Sequence, residues 1–214
     1  MKKYIYLHGF ASSPSSVKAV KIKKRFAQLG IALTVPDLNQ NDFSGLTLSR
    51  QLKQVAAEFV PDIPTVIIGS SFGGLTAAWL GEKYPQVERI VLLAPAFKFV
   101  NHWMAKLGKE KIQEWESQGI LPVYHYAEKQ MLPLKYEFFK DCSEYKDAGL
   151  GRKIPTLILH GIYDDVIPIQ ASRDYAKLRN WVELVELNSD HALGDVVPQI
   201  WQEICRFCEL EAEI

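Results

Sequence analysis

The segment TVIIGSSFGGL, Thr65–Leu75, passes from a β-branched apolar run into Gly69-Ser70-Ser71-Phe72-Gly73. It fits Gly-x-Ser-x-Gly, a strand-to-helix turn so tight that glycines two residues to either side are needed for the backbone to pass. The pattern puts a reactive hydroxyl on Ser71, makes Gly69 and Gly73 its supporting glycines, and leaves Ser70 as a small residue that lets the turn pack. A serine hydroxyl is a poor nucleophile until a base takes its proton, and that base needs an acid to orient it. For an elbow of this kind the acid and then the histidine follow later in the chain. LILHGIYDDVIP sets Asp164 and Asp165 just beyond one strand-like run, and WVELVELNSDHAL sets His191 beyond the next. His160 lies upstream of both aspartates and reads as structural; Asp190, the direct neighbour of His191, reads as a loop or cap residue. His102 and His125 read as surface residues, with contact to a substrate as the alternative.

The same chemistry needs two backbone N–H groups to receive a developing oxyanion. One belongs to the residue after the nucleophile, Phe72, at the positive end of its helix. The second is expected from the loop after the first strand, where YLHGFASSP offers Gly9 to turn the amides inward and Phe10 as donor.

Positioning these groups requires strands that all end on one edge. Continuous apolar runs, expected of strands covered on both faces, occur at Lys3–His8, Ala32–Val35, Thr65–Gly69, Arg89–Leu93, Thr156–His160 and Val182–Leu187. Helical patterns lie between them: from Ser13-Pro14 to about Leu29, from a Ser44 or Thr47 cap to Phe59, from the serines to Tyr84, and over Ile169–Leu178 and Val196–Leu210. The alternation implies an α/β fold with a mostly parallel six-stranded sheet flanked by helices, in a single domain over 1–214. One stretch breaks the rhythm. Residues 96–152 are far longer than an ordinary connection and rich in aromatics, which suggests an inserted cap over a pocket. Within it a helix is expected at Lys106–Gln118, a hairpin at Leu121–Tyr126 and Met131–Tyr136, and a helix over Glu137–Ala148.

Composition narrows the function classes. Lys+Arg and Asp+Glu are equal at 25 each, which argues against nucleic acid or an anionic membrane as main partner. The apolar run in MKKYIYLHGF is too short for a signal peptide, and no stretch is long enough to span a bilayer. Three cysteines, Cys142, Cys205 and Cys208, do not make a disulfide framework and point to a reducing cytoplasm. The Cys205–Cys208 spacing has no neighbouring ligands, so it reads as two small residues on the inner face of a helix; no metal or cofactor is expected.

Taken together, LHGFASSP, GSSFGG, LHGIYDDVIP and SDHAL resemble the α/β-hydrolase superfamily, and the opening HGF-x-SSP is similar to that of the YqiA-type small serine esterases. The resemblance covers residue 1 to about 95 and 153 to the end. The hydrolase pattern H-G-x-x-D-x-V-V-P implies that Asp164, rather than Asp165, is the acid. The resemblance implies Ser71, Asp164 and His191 as a triad hydrolysing a small-molecule ester or thioester, and the aromatic residues of the expected cap favour a small, fairly apolar acyl group. Two other readings stand beside it: C–C bond hydrolysis or lyase chemistry with the same triad, and a non-catalytic binding protein on a hydrolase fold.

Overall fold

The computed structural model describes residues 2–210; Met1 and residues 211–214, the ends of the expected domain, lie outside the described residues. Six parallel strands form the main sheet: β1 (Lys3–Leu7), β2 (Leu33–Thr34), β3 (Thr65–Ser70), β4 (Val87–Leu93), β7 (Thr156–Gly161) and β8 (Val182–Leu187). Their order is β2-β1-β3-β4-β7-β8. The chain leaves β1 toward one edge and returns at β3 to build toward the other. The loops after these adjacent strands therefore diverge, opening a crevice at the carboxyl ends where such sheets hold ligands.

Strand alternation builds a core on each face. Ile5, Leu7, Ile67, Ile90, Leu92 and Ile158 point to one side, where α2 (Leu48–Ala56), α3 (Phe72–Lys83) and α6 (Gln170–Lys177) supply Leu52, Val55, Leu75, Leu80 and Tyr175. Tyr4, Tyr6, Val66, Ile68, Val91, Leu93, Leu157 and Leu159 point to the other, against Ile22 and Phe26 of α1 (Val17–Gln28) and Ile200 and Ile204 of α7 (Val197–Cys208). Among the described residues no helix is long and apolar enough to cross a membrane.

The expected strands lie within a residue or two of the observed ones; the helix starts differ more. α1 begins at Val17, because Ser13–Ser16 first form a turn closed by a bond from Ser16 N–H to Ser13 O (3.1 Å). Of the two caps proposed for α2, Thr47 serves: its hydroxyl accepts from Arg50 N–H at 3.0 Å, satisfying one of the four unpaired donors of the first turn.

Between β4 and β7 the inserted segment forms α4 (Phe99–Gln118), a hairpin of β5 (Ile120–His125) and β6 (Gln130–Lys135), α5 (Glu137–Ser143) and a short 3₁₀ turn at Asp147–Gly149. α4 starts at Phe99, earlier than Lys106, and is broken at Gly108 (φ 78°, ψ 160°), a conformation in which glycine carries no Cβ penalty. The segment shares the sheet's core: Phe99, Trp115, Leu121, Leu134 and Phe138 belong to the same buried cluster as Leu48 and Phe72. Polar ties reinforce it, including Ser49 N–H to Asp141 Oδ2 (3.0 Å), Lys135 N–H to Ser44 O (3.1 Å) and Tyr126 N–H to Ala11 O (2.9 Å).

Candidate active site

β3 is buried along its whole length and ends at Ser70; α3 begins at Phe72. Ser71 makes the turn between them alone, with φ 54° and ψ −117°. A non-glycine residue held there costs on the order of 1–3 kcal/mol, so its surroundings must over-determine it. They do. Ser71 N–H donates to Leu93 O (2.8 Å), and Ser71 O accepts from the N–H groups of Gly74 (2.9 Å), Leu75 (3.2 Å) and Ala96 (3.1 Å). The glycines answer to close approach: a Cβ on Gly69 would lie 2.2 Å from Gly73 O, and one on Gly73 would lie 2.3 Å from Leu7 O. Strand, elbow and helix thus touch backbone to backbone.

The structure brings Ser71, His191 and Asp164 together across 120 and 27 residues of chain. His191 Nε2 is 3.0 Å from Ser71 Oγ, and its Nδ1 is 2.7 Å from Asp164 Oδ2. His191 stands in the loop after β8, where Asp190 Oδ1 accepts from Ala192 N–H (2.9 Å) and Leu193 N–H (3.1 Å). Asp190 is thus a loop-capping residue. Asp164 occupies the turn after β7 with its side chain sealed from solvent, while Asp165 is exposed. Its Oδ1 accepts from the backbone N–H of Val166 (2.9 Å) and Ile167 (2.7 Å). Burial alone would raise the Asp164 carboxyl, but hydrogen bonds from His160 and His191, the His191 charge and the Ile167 N–H outweigh it and hold the group well below the ordinary carboxylate range. Ser70 is buried in β3, and the hydroxyl that meets His191 is that of Ser71.

The loop after β1 lies against the elbow. A Cβ on Gly9 would sit 3.3 Å from Ser71 Cβ and 3.9 Å from Ser71 Oγ. His8, buried beside it, accepts Leu38 N–H at Nε2 (3.0 Å), so the ring proton is on Nδ1 and donates to Gly9 O (3.0 Å). Burial pushes the His8 ring down, against the opposing pull of the Gly9 carbonyl and Asp37, and keeps that tautomer neutral. Because a trans peptide points its C=O and N–H in opposite directions, anchoring Gly9 O aims the Phe10 N–H away from His8. Among the described residues neither Phe10 N–H nor Phe72 N–H, the first of its helix, donates to a protein acceptor.

Phe10 and Phe72 belong to an aromatic cluster of the core. The Phe10 ring lies 5.5 Å from Phe43, 6.2 Å from Phe72, 5.3 Å from Trp103 and 5.3 Å from Phe138, and Phe99 lies 5.0 Å from Phe72. Of the two histidines in the inserted segment, His125 is not at the surface as expected but buried in the hairpin, edge-on to Phe43 at 4.9 Å with Nδ1 accepting Glu128 N–H (3.2 Å). His102 is half-buried on α4, and its ring is pushed down by burial and by Lys98.

Two groups at the site went unread in the sequence. His160 does not merely fill the core: its Nε2 is 3.0 Å from Asp164 Oδ2. Its sequence signal is its place as the first residue of the H-G-x-x-D pattern, at the end of β7 and four residues before Asp164. Lys18, on α1, is pushed down by burial to about 8 against the pull of Asp164 and Asp190, and no local pattern marks it. The three thiols form no disulfide, and burial raises all of them, Cys208 to about 12. Among the described residues no cluster of His, Cys, Asp or Glu is placed to hold a metal ion.

Comparison with known proteins gives a consistent setting. The mitochondrial palmitoyl-protein thioesterase ABHD10 of Bos taurus is 25% identical over 211 residues, covering 89% of this chain and 67% of that protein. The solved structure of mouse alpha/beta hydrolase domain-containing protein 10 superposes with a TM-score of 0.76 at 21% identity, over 95% of this chain and 90% of that one. Est1E from Butyrivibrio proteoclasticus, solved with ferulic acid bound, gives 0.80 at 18% identity, over 98% and 88%. The fold is that of the α/β-hydrolases. Residues 3–209 match the model of the uncharacterised protein family UPF0227, and the chain belongs to that family.

Proposed function

We propose that this α/β-hydrolase is a serine hydrolase that cleaves carboxylic esters or thioesters of fairly apolar acyl groups through an acyl-enzyme. The observation that carries the reading is the unbroken line Ser71 Oγ, His191 Nε2, His191 Nδ1, Asp164 Oδ2, with contacts of 3.0 and 2.7 Å. His191 takes the Ser71 proton as that oxygen attacks the acyl carbon. Asp164, kept ionised, holds the imidazole in the tautomer whose Nε2 is free and stabilises the imidazolium that forms. The Phe10 and Phe72 N–H groups receive the oxyanion, with Gly9, Gly69 and Gly73 keeping both donors close to Ser71. His191 then returns its proton to the departing alcohol or thiol, and water repeats the cycle on the acyl-serine. No metal or cofactor enters these steps.

The aromatic cluster around Phe10, contributed partly by the inserted segment acting as a cap, favours an apolar acyl group. The relatives' names point the same way: one is a palmitoyl-protein thioesterase, and the other was solved with an aromatic acid. A fluorophosphonate probe should label the protein on Ser71, as located by peptide mass mapping, and a panel of p-nitrophenyl and acyl-CoA esters should give turnover that the probe abolishes. Labelling with no turnover on any ester would favour the C–C hydrolase or lyase reading, and no labelling at all would return the protein to the binding class.

A further inference from the structure

His160 takes no part in the proton transfers above, yet its ring is fully buried and held on both sides. Nδ1 lies 2.8 Å from the hydroxyl of Ser172 on α6; Nε2 lies 3.0 Å from Asp164 Oδ2 and 3.0 Å from Ile167 O. Both partners of Nε2 are acceptors only, an ionised carboxylate and a carbonyl, so Nε2 carries a proton. In the neutral ring the Nδ1 lone pair then receives the Ser172 hydroxyl. Asp164 Oδ2 consequently accepts from two imidazoles, His191 on the solvent side and His160 from beneath, while the backbone N–H groups of Val166 and Ile167 fix Oδ1.

We propose that His160 is a positioning residue for Asp164: it sets the rotation of the carboxylate and, by sharing the charge on Oδ2, limits how strongly that oxygen pulls on the His191 proton. This rests on the reading of Ser71, His191 and Asp164 as the reacting groups. Gly161 extends the same support, since a Cβ there would lie 2.4 Å from Ser189 O and 2.5 Å from Asp190 O, so the tip of β7 backs onto the histidine loop as well as the acid. The other charged or titratable groups facing the pair are Lys18 from α1 and His102 from α4, which feel Asp164; Glu186 from β8, which feels His160; and Asp190 beside His191.

The experiment compares wild type, His160→Phe and His160→Gln, whose amide N–H stands near the place of Nε2. With a p-nitrophenyl ester, loss of one hydrogen bond to a buried charge predicts a kcat for His160→Phe lower by roughly ten- to hundred-fold at unchanged KM. The acid limb of its kcat/KM profile should move to higher pH, because an unshared Oδ2 pulls harder on the His191 proton. His160→Gln should restore most of both. An active wild type with a His160→Phe variant of equal kcat and equal pH profile overturns the inference and leaves the serine-hydrolase reading intact. A wild type that neither labels nor turns over refutes that reading instead. Nitrogen NMR of isotope-labelled histidines in the wild-type protein decides the His160 geometry without activity, and also if His160→Phe fails to fold: a neutral His160 protonated on Nε2 supports the proposal, and one protonated on Nδ1 refutes it.

Discussion

Asp164→Asn removes one charge and adds one pair of amide hydrogens, and the surrounding donors decide how the new side chain must sit. The Oδ1 position faces two backbone N–H groups, from Val166 at 2.9 Å and Ile167 at 2.7 Å. An asparagine must therefore keep its carbonyl oxygen there and place its NH₂ where Oδ2 was. That NH₂ meets His191 Nδ1, formerly 2.7 Å from Oδ2, and His160 Nε2, formerly 3.0 Å from it, both of which donate in the native protein. Donor against donor is untenable in a buried site, so His191 takes the other tautomer, accepts at Nδ1, and carries its proton on Nε2 facing Ser71. The base is then already protonated where it must accept. The same reversal in a serine protease costs about ten-thousand-fold, on the order of 5.5 kcal/mol of barrier at about 1.36 kcal/mol per tenfold. The assay is kcat/KM for a p-nitrophenyl ester together with the rate of fluorophosphonate labelling of Ser71, both at neutral pH. Both should fall by that order while circular dichroism stays unchanged. A loss below tenfold, or comparable damage only from Asp165→Asn, would refute the reasoning.

Ser71→Ala should cut turnover by about a million-fold in the manner of a lost nucleophile, whereas Ser70→Ala should leave most of it; a dead Ser70→Ala with an active Ser71→Ala would reassign the elbow. Gly73→Ala forces a Cβ to 2.3 Å from Leu7 O, backbone against backbone, and should destabilise the fold by about 1–3 kcal/mol or more in denaturant melts; an unchanged midpoint would refute the close packing of β1, β3 and α3. Because the Asp164 carboxyl sits below its ordinary value in the folded protein, its contribution to stability is present above the unfolded value of about 3.9 and lost as pH falls through the folded one. Urea melts across the acid range should show that loss in wild type and a flatter dependence in Asp164→Asn; parallel curves would show that the hydrogen bonds to Asp164 do not lower its carboxyl.

The local chain carried much of this outcome. Apolar runs such as Val66–Ile68 and Leu157–Leu159 must be covered on both faces, so the parallel sheet was legible without coordinates, and so was the elbow, since Gly69 and Gly73 leave few other turns open to the backbone. A cap for α2 was legible as Ser44 or Thr47, and the choice of Thr47 came with the structure. Chain order further narrowed the partners of Ser71 to the loops after β7 and β8. The tertiary structure decided what depends on approach between distant segments. It set the early start of α4 at Phe99, whose ring finds Phe72 at 5.0 Å, a contact no propensity encodes. It turned His160 toward Asp164 and tied the ring to Ser172. It also brought Lys18 within the field of Asp164 and Asp190. Periodicity and turn chemistry act over a few residues and are written in order along the chain. The side a buried ring presents to a carboxylate is fixed only when strands and helices from opposite ends of the sequence close around it.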